Sequence, residues 1–203
     1  MKSRRFLLWL ALAAVGGLLA GAFAAHMLSQ RSVALQGGTW LPEPRALPVV
    51  RLDDFNGRSF DAGSLRGHPA LLFFGYSRCP DICPATLATL QAVLQRAPAS
   101  GLRVLFISVD PGHDTPAVLR QYLAGFGPDF IGLRGEPAEL TRLLREFQAS
   151  ADPAPPGNGA TLNHSATLYL LDTRGRLVAV FTPPLSAALL AADLQRAARA
   201  NAL

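Results

Sequence analysis

The chain has only two cysteines in 203 residues, too few for a disulfide framework or a four-cysteine zinc site. Charge is also scarce, with Asp, Glu, Lys and Arg together at 16%. The formal net charge of +5 would suit a polyanion, but Lys2, Arg4 and Arg5 stand at the extreme N-terminus. The remainder holds sixteen basic residues against fourteen acidic ones, a net of +2. No run of basic residues interleaved with aromatics occurs in that remainder, so the chain carries no electrostatic footprint for DNA or RNA. What it does have is apolar material: 50% of the residues are hydrophobic, enough to bury a sizeable core without covalent staples.

One stretch is apolar throughout. Phe6 to Ala25 runs without a charge, and twenty residues of helix reach about 30 Å, the thickness of a bilayer core. Lys2, Arg4 and Arg5 ahead of it predict a cytoplasmic N-terminus and everything after Met27 on the far side. Residues 1–28 are therefore read as a single-pass anchor in a bacterial inner membrane, with the remaining chain in the periplasm. A cleaved signal peptide is the alternative, since Ala22, Phe23 and Ala24 have the small-x-small form of a cleavage site. Gly17 and Gly21 form a G-x-x-x-G pair that lets such helices approach closely. Residues 29–48, interrupted by Gly37, Gly38, Pro42, Pro44 and Pro48, read as a linker, and the folded domain is expected from 49 to 203.

The two cysteines, Cys79 and Cys83, lie four residues apart where an apolar run stops and a helical pattern starts. A thiol at a helix N-terminus meets unpaired amides and the positive end of the dipole, which predicts a lowered pKa. The spacing puts both sulfurs on one side of a turn, within reach of a mutual disulfide or of one shared ion. The plain alternative is a pair of packed apolar cysteines or a structural disulfide. A disulfide closing so short a loop would stabilise little.

Ala70 to Tyr76 reads as a strand buried on both faces. Pro84 fits the first turn of the helix after it, and Leu87, Leu90 and Leu94 form the apolar stripe. Leu102 to Val109 reads as the next strand. Asp114, Thr115 and Pro116 read as a cap before a helix with a stripe at Leu119, Tyr122, Leu123 and Phe126. A further stripe follows in Leu140, Leu143, Leu144 and Phe147. Ser150 to Ala160 is too rich in Pro and Gly to be regular. Ser165 to Leu171 and Leu177 to Phe181 then read as strands around a turn, and Leu185 to Ala202 as the last helix. This alternation is α/β, a thioredoxin-like domain with the cysteines at the C-terminal end of a central strand.

Four histidines remain to be placed. His26 falls at the headgroup layer, His68 in an exposed Gly-His-Pro turn, and His113 in an exposed loop. His164 stands just before a strand that the thioredoxin arrangement brings beside the cysteine loop. Two thiolates and an imidazole form a soft three-ligand set suited to Cu(I), whereas structural zinc would need a fourth ligand.

The segments GYSRCPDICPATL, LFISVDPGHDTP, FGPDFIGLRG and HSATLYLLD, in that order, resemble the Sco/SenC family of membrane-anchored copper proteins, over about residues 49–203. The resemblance implies a thioredoxin-like domain that holds copper, as Cu(I) or Cu(II), on Cys79, Cys83 and His164. It also implies delivery to the dinuclear copper A centre of cytochrome c oxidase subunit II, with periplasmic copper donors or thiol reductants as further partners. Asn163 stands where family members often carry an acid, which removes a carboxylate partner for the imidazole. Asp81 and Asp110 match family acidic positions that shape the site or a partner surface, or simply form turns and caps.

Two functions compete. One is a copper metallochaperone; the other is a thiol-disulfide oxidoreductase reducing the oxidase subunit's cysteines before metallation, with Cys79 and Cys83 as the redox pair. CxxxC in place of CxxC, and a histidine where thioredoxins place a cis-proline, favour copper. A peroxidase shares the fold, but the threonine and arginine surroundings of a peroxidatic cysteine are missing.

Overall fold

The computed structural model describes residues 14–21, 34–97, 101–153, 162–200 and 202–203, without the side chains of Ala62, Pro153, Asn163 and His164. The chain divides into two units, Met1–Ser32 and Val33–Leu203. Of the first, residues 14–21 are helical; most of the proposed anchor, 1–28, lies outside the described residues. Among the described residues no helix is long and apolar enough to cross a membrane.

The second unit is built on an eight-stranded sheet. Its strands are β1 (Thr39–Ala46), β2 (Leu52–Asp54), β3 (Ser59–Phe60), β4 (Ala70–Gly75), β5 (Arg103–Ser108), β6 (Phe130–Gly135), β9 (Leu168–Leu171) and β10 (Arg176–Phe181). They run in the order β1-β10-β9-β4-β5-β6-β2-β3. β4, β5 and β6 are parallel, and β9 joins β4 antiparallel. The helices are α1 (Ile82–Arg96), α2 (Pro116–Ala124), α3 (Pro137–Phe147) and α4 (Ala187–Arg199). Two short strands, β7 (Ala151–Pro153) and β8 (Leu162–His164), pair with each other as a separate ribbon.

All six residues of β4 are buried, as the continuous apolar run predicts. The pleat sends Leu71 and Phe73 into one core with Leu87, Leu90 and Leu194, and Leu72 and Phe74 into another with Leu140, Leu143 and Phe147. The sheet is thus covered on both faces, by α1, α2 and α4 on one side and α3 on the other. Each fully buried Leu or Phe contributes about 1.5–3 kcal/mol by leaving water, so this strand fixes the place where the cysteine loop begins.

Two expectations are corrected. Residues 39–46, read as linker, form β1, hydrogen-bonded to β10. β1 is an edge strand and its register shifts between Trp40 and Arg45, which is where Pro42 and Pro44 are tolerated. The chain is also clamped ahead of it: the buried carboxylate of Asp193 accepts from the amides of Gln36 at 2.9 Å and Gly37 at 2.7 Å, and pairs with Arg196. Second, residues 165–171 are not one strand. β9 starts at Leu168, and His164 ends β8 instead, because Ala151–Pro153, expected to be irregular, supply it with a partner strand. The cap expected in Asp114, Thr115 and Pro116 is present: Thr115 makes it, its hydroxyl accepting from Val118 N at 3.3 Å with Pro116 next, and Asp114 is left for another role.

Candidate metal centre

Gly75 ends β4 in a place with no room for a side chain. A Cβ there would lie 2.6 Å from the Phe106 ring and 2.9 Å from Cys83 Sγ. The strand can therefore pass directly over the second cysteine only as glycine. Tyr76 follows, fully buried, and its carbonyl accepts from the Cys79 amide at 3.2 Å. Cys83 sits in the first turn of α1 and its own amide donates to Cys79 Sγ at 3.3 Å. No disulfide joins the two cysteines. They differ in access: Cys83 is 0% exposed and Cys79 9%, so the pair meets solvent on the Cys79 side.

The helix N-terminus does not lower the pKa of Cys83. Burial pushes this thiol well above its usual range, and the Tyr76 amide, which hydrogen-bonds the sulfur, only partly offsets that; the neighbouring Cys79 and the Asp114 carboxylate add to the rise. The reason is magnitude. A helix dipole is worth about 0.3–2 kcal/mol, whereas full burial shifts a group by up to several pKa units at 1.36 kcal/mol each. Tyr122 belongs to the same pocket of charge. Its hydroxyl is buried with no hydrogen-bond partner among the described residues, and its pKa is raised by burial first, then by Cys83, Cys79 and Asp114.

Asp114 holds Ser77, the second residue after β4. It is 0% exposed and accepts from Ser77 N at 3.2 Å, from the Ser77 hydroxyl, and from the Ser108 hydroxyl at 2.6 Å. It thereby ties the loop after β4 to the end of β5. Asp110 pairs with Arg78 at 2.6 Å, a second strap across the same gap. Asp81, by contrast, is exposed and makes no capping bond with its side chain, and the neighbouring Ile82 is 47% exposed. Those two face solvent beside Cys79.

His164 is placed by its backbone. It pairs with Ala151, and two residues earlier Leu162 is bound at both backbone atoms to Tyr76, whose hydroxyl donates to Leu162 O at 3.1 Å and accepts from Leu162 N at 3.3 Å. The structure therefore brings the two sulfurs together and brings the strand of His164 to the residue three places before Cys79. Among the described residues no three His, Cys, Asp or Glu side chains form a metal cluster; the imidazole of His164 lies outside them. His113 is exposed, as expected. His68 is half-buried rather than exposed and precedes β4, at the strand's other end. His26 lies outside the described residues.

Residues 48–199 match the SCO1/SenC family. The chain belongs to that family. A SCO2-like protein of Rickettsia prowazekii is 35% identical over 141 residues, 67% of this chain and 69% of that one. ScoI of Bradyrhizobium japonicum, solved with copper bound, is 39% identical with a TM-score of 0.65, over 74% of this chain and 98% of that one. Yeast Sco1, also solved with copper bound, is 30% identical with a TM-score of 0.68, over 77% and 90%. The thioredoxin-like sheet of this SCO1/SenC chain is thus shared with its solved relatives. Tyr76, Asp114 and Tyr122 are residues that sequence reasoning left out of the site. Tyr76 and Tyr122 read as apolar positions and Asp114 as a cap, and the signal that separates them, a buried polar atom aimed at the loop, exists only in three dimensions.

Proposed function

We propose that this chain is a membrane-anchored copper metallochaperone. Cys79, Cys83 and His164 hold copper, and the periplasmic domain delivers it to the dinuclear copper A centre of cytochrome c oxidase subunit II. The observation that carries this reading is the unbridged CxxxC pair at the end of β4, with the strand of His164 bound to Tyr76 beside it. Family membership and relatives solved with copper support it.

Two thiolates and an imidazole suit copper as cargo because they are soft ligands in a low coordination number. The proton on Cys83 must leave when copper arrives, since the thiolate is the ligand. Burial makes that proton hard to remove without a metal, so the empty site keeps Cys83 as a thiol. Transfer then starts from the Cys79 side, where Asp81 and Ile82 offer an acidic and apolar rim to the oxidase subunit, whose incoming ligands replace those of this chain one by one.

The test is copper stoichiometry and affinity of the reduced full chain in detergent, beside Cys79→Ala, Cys83→Ala and His164→Ala. One copper per chain, lost or weakened in all three variants, is the expected result. Absence of specific copper binding, with disulfide-reductase activity surviving in His164→Ala, would replace this reading with reduction of the subunit's cysteines.

A further inference from the structure

One residue touches all three segments that carry the proposed ligands. The Tyr76 carbonyl accepts from the amide of Cys79, and the Tyr76 amide hydrogen-bonds the sulfur of Cys83. Its phenol hydroxyl makes two bonds to the backbone of Leu162, at 3.1 and 3.3 Å. Leu162 is two residues before His164, about 7 Å along an extended strand. β8 lies in its own two-stranded ribbon with β7, outside the eight-stranded sheet. It therefore draws none of its position from that sheet's hydrogen-bond ladder, and the chain between β7 and β8 is rich in Pro and Gly.

The chemistry of the contact is specific. A buried hydroxyl is both a donor and an acceptor, and here both capacities meet one residue of the strand, which fixes its height and its direction beside β4. A phenylalanine would fill the same volume and supply neither bond. It would also leave the Leu162 amide and carbonyl without those partners.

We infer that the Tyr76 hydroxyl is a positioning group for the third ligand. It latches β8 to the end of β4 so that His164 is presented to the cysteine pair in advance of the metal, while the Tyr76 backbone holds the two sulfurs. This rests on the three-ligand reading above and deepens it. The latch contributes to copper affinity only through His164, because the bonds from Tyr76 to Cys79 and Cys83 are made by its backbone and survive replacement by Phe.

The experiment is a double-mutant cycle on the full chain in detergent, reduced and anaerobic, with Cu(I) affinity read by competition against a chromophoric chelator. Wild type, Tyr76→Phe, His164→Ala and the double variant are compared, and amide hydrogen exchange of β8 is read on metal-free wild type and Tyr76→Phe. The expected result is a loss of affinity of about tenfold or more for Tyr76→Phe, the scale of a group orienting a metal ligand. In the His164→Ala background the same change should cost less than about twofold. Faster exchange at Leu162 in metal-free Tyr76→Phe completes the pattern and needs no copper. Equal losses in both backgrounds would mean a general effect on the fold and would overturn the inference. So would an unchanged affinity in Tyr76→Phe while His164→Ala weakens binding, or unchanged exchange at Leu162. An affinity unaffected by His164→Ala would instead sink the three-ligand reading itself, and the inference with it.

Discussion

Replacing Asp114 by alanine tests how the cysteine loop is held. The carboxylate is 0% exposed and accepts three protein hydrogens: the Ser77 amide, the Ser77 hydroxyl and the Ser108 hydroxyl. Alanine leaves all three without their acceptor. A buried donor with no partner costs about 1–3 kcal/mol. Ser108 is fully buried and carries the whole of that penalty, while Ser77 is partly exposed and water recovers some of its share. The sum is about 3–5 kcal/mol, a large fraction of the 5–15 kcal/mol that holds an ordinary domain together. Asp114→Asn keeps one acceptor oxygen, and a serine hydroxyl can turn to accept from the new amide, so its expected loss is about 1–2 kcal/mol. The assay is urea denaturation of the reduced protein at constant slope, since a change in slope would mean a different unfolded state. The loop should also respond, because Ser77 lies near its start: Cu(I) affinity should fall in Asp114→Ala and fall less in Asp114→Asn. A loss below about 1 kcal/mol for Asp114→Ala, or equal losses for the two variants, would refute this account of the strap.

Three further outcomes are expected. Gly75→Ala should cost about 1–3 kcal/mol by overpacking, since its Cβ would sit 2.6 Å from the Phe106 ring and 2.9 Å from Cys83 Sγ; Phe106→Leu in the same chain should recover part of that, and a calorimetric scan showing no loss would disprove the close approach. Stability should fall on the alkaline side: Cys83 and Tyr122 hold their protons in the fold above the usual values of 9.0 and 10.0, so above those pH values the unfolded chain has released protons the native one retains, and unfolding gains. Cys83→Ala and Tyr122→Phe should each flatten the alkaline limb of a stability–pH curve, and an unchanged limb in both would show that burial of these groups has been misjudged. Asp193→Ala removes the buried acceptor of the Gln36 and Gly37 amides and the partner of Arg196, at a cost of about 2–4 kcal/mol, and limited proteolysis should find a new site near Gly37; resistance to cleavage there would count against the clamp.

How much of this was legible in the sequence depends on the kind of signal each feature leaves. β4 was legible because six consecutive apolar residues buried on both faces have few other readings, and the cysteines were legible because their spacing and their place after a strand are one-dimensional facts. β1 was not: Pro42 and Pro44 read as breakers, and only an edge position with a shifted register reconciles them with pairing to β10. The cap in DTP was legible and Thr115 makes it, but nothing along the chain says that the Asp114 carboxylate turns inward. The pKa expectation failed on magnitude alone: the helix terminus is present, but Cys83 is buried deeply enough for desolvation to outweigh it. The polar groups that escaped the sequence share a direction: each has its partner far along the chain, Asp114 at Ser77, Tyr76 at Leu162 and Asp193 at Gln36. Hydrophobic periodicity records which face of an element is buried and is silent about which buried hydroxyl or carboxylate meets which backbone atom. In this fold those long-range polar bonds set the position of the cysteine loop, of the strand of His164 and of the start of the domain. The proposed ligands can therefore be named from the sequence, while the groups that would hold them in place have to be found in the structure.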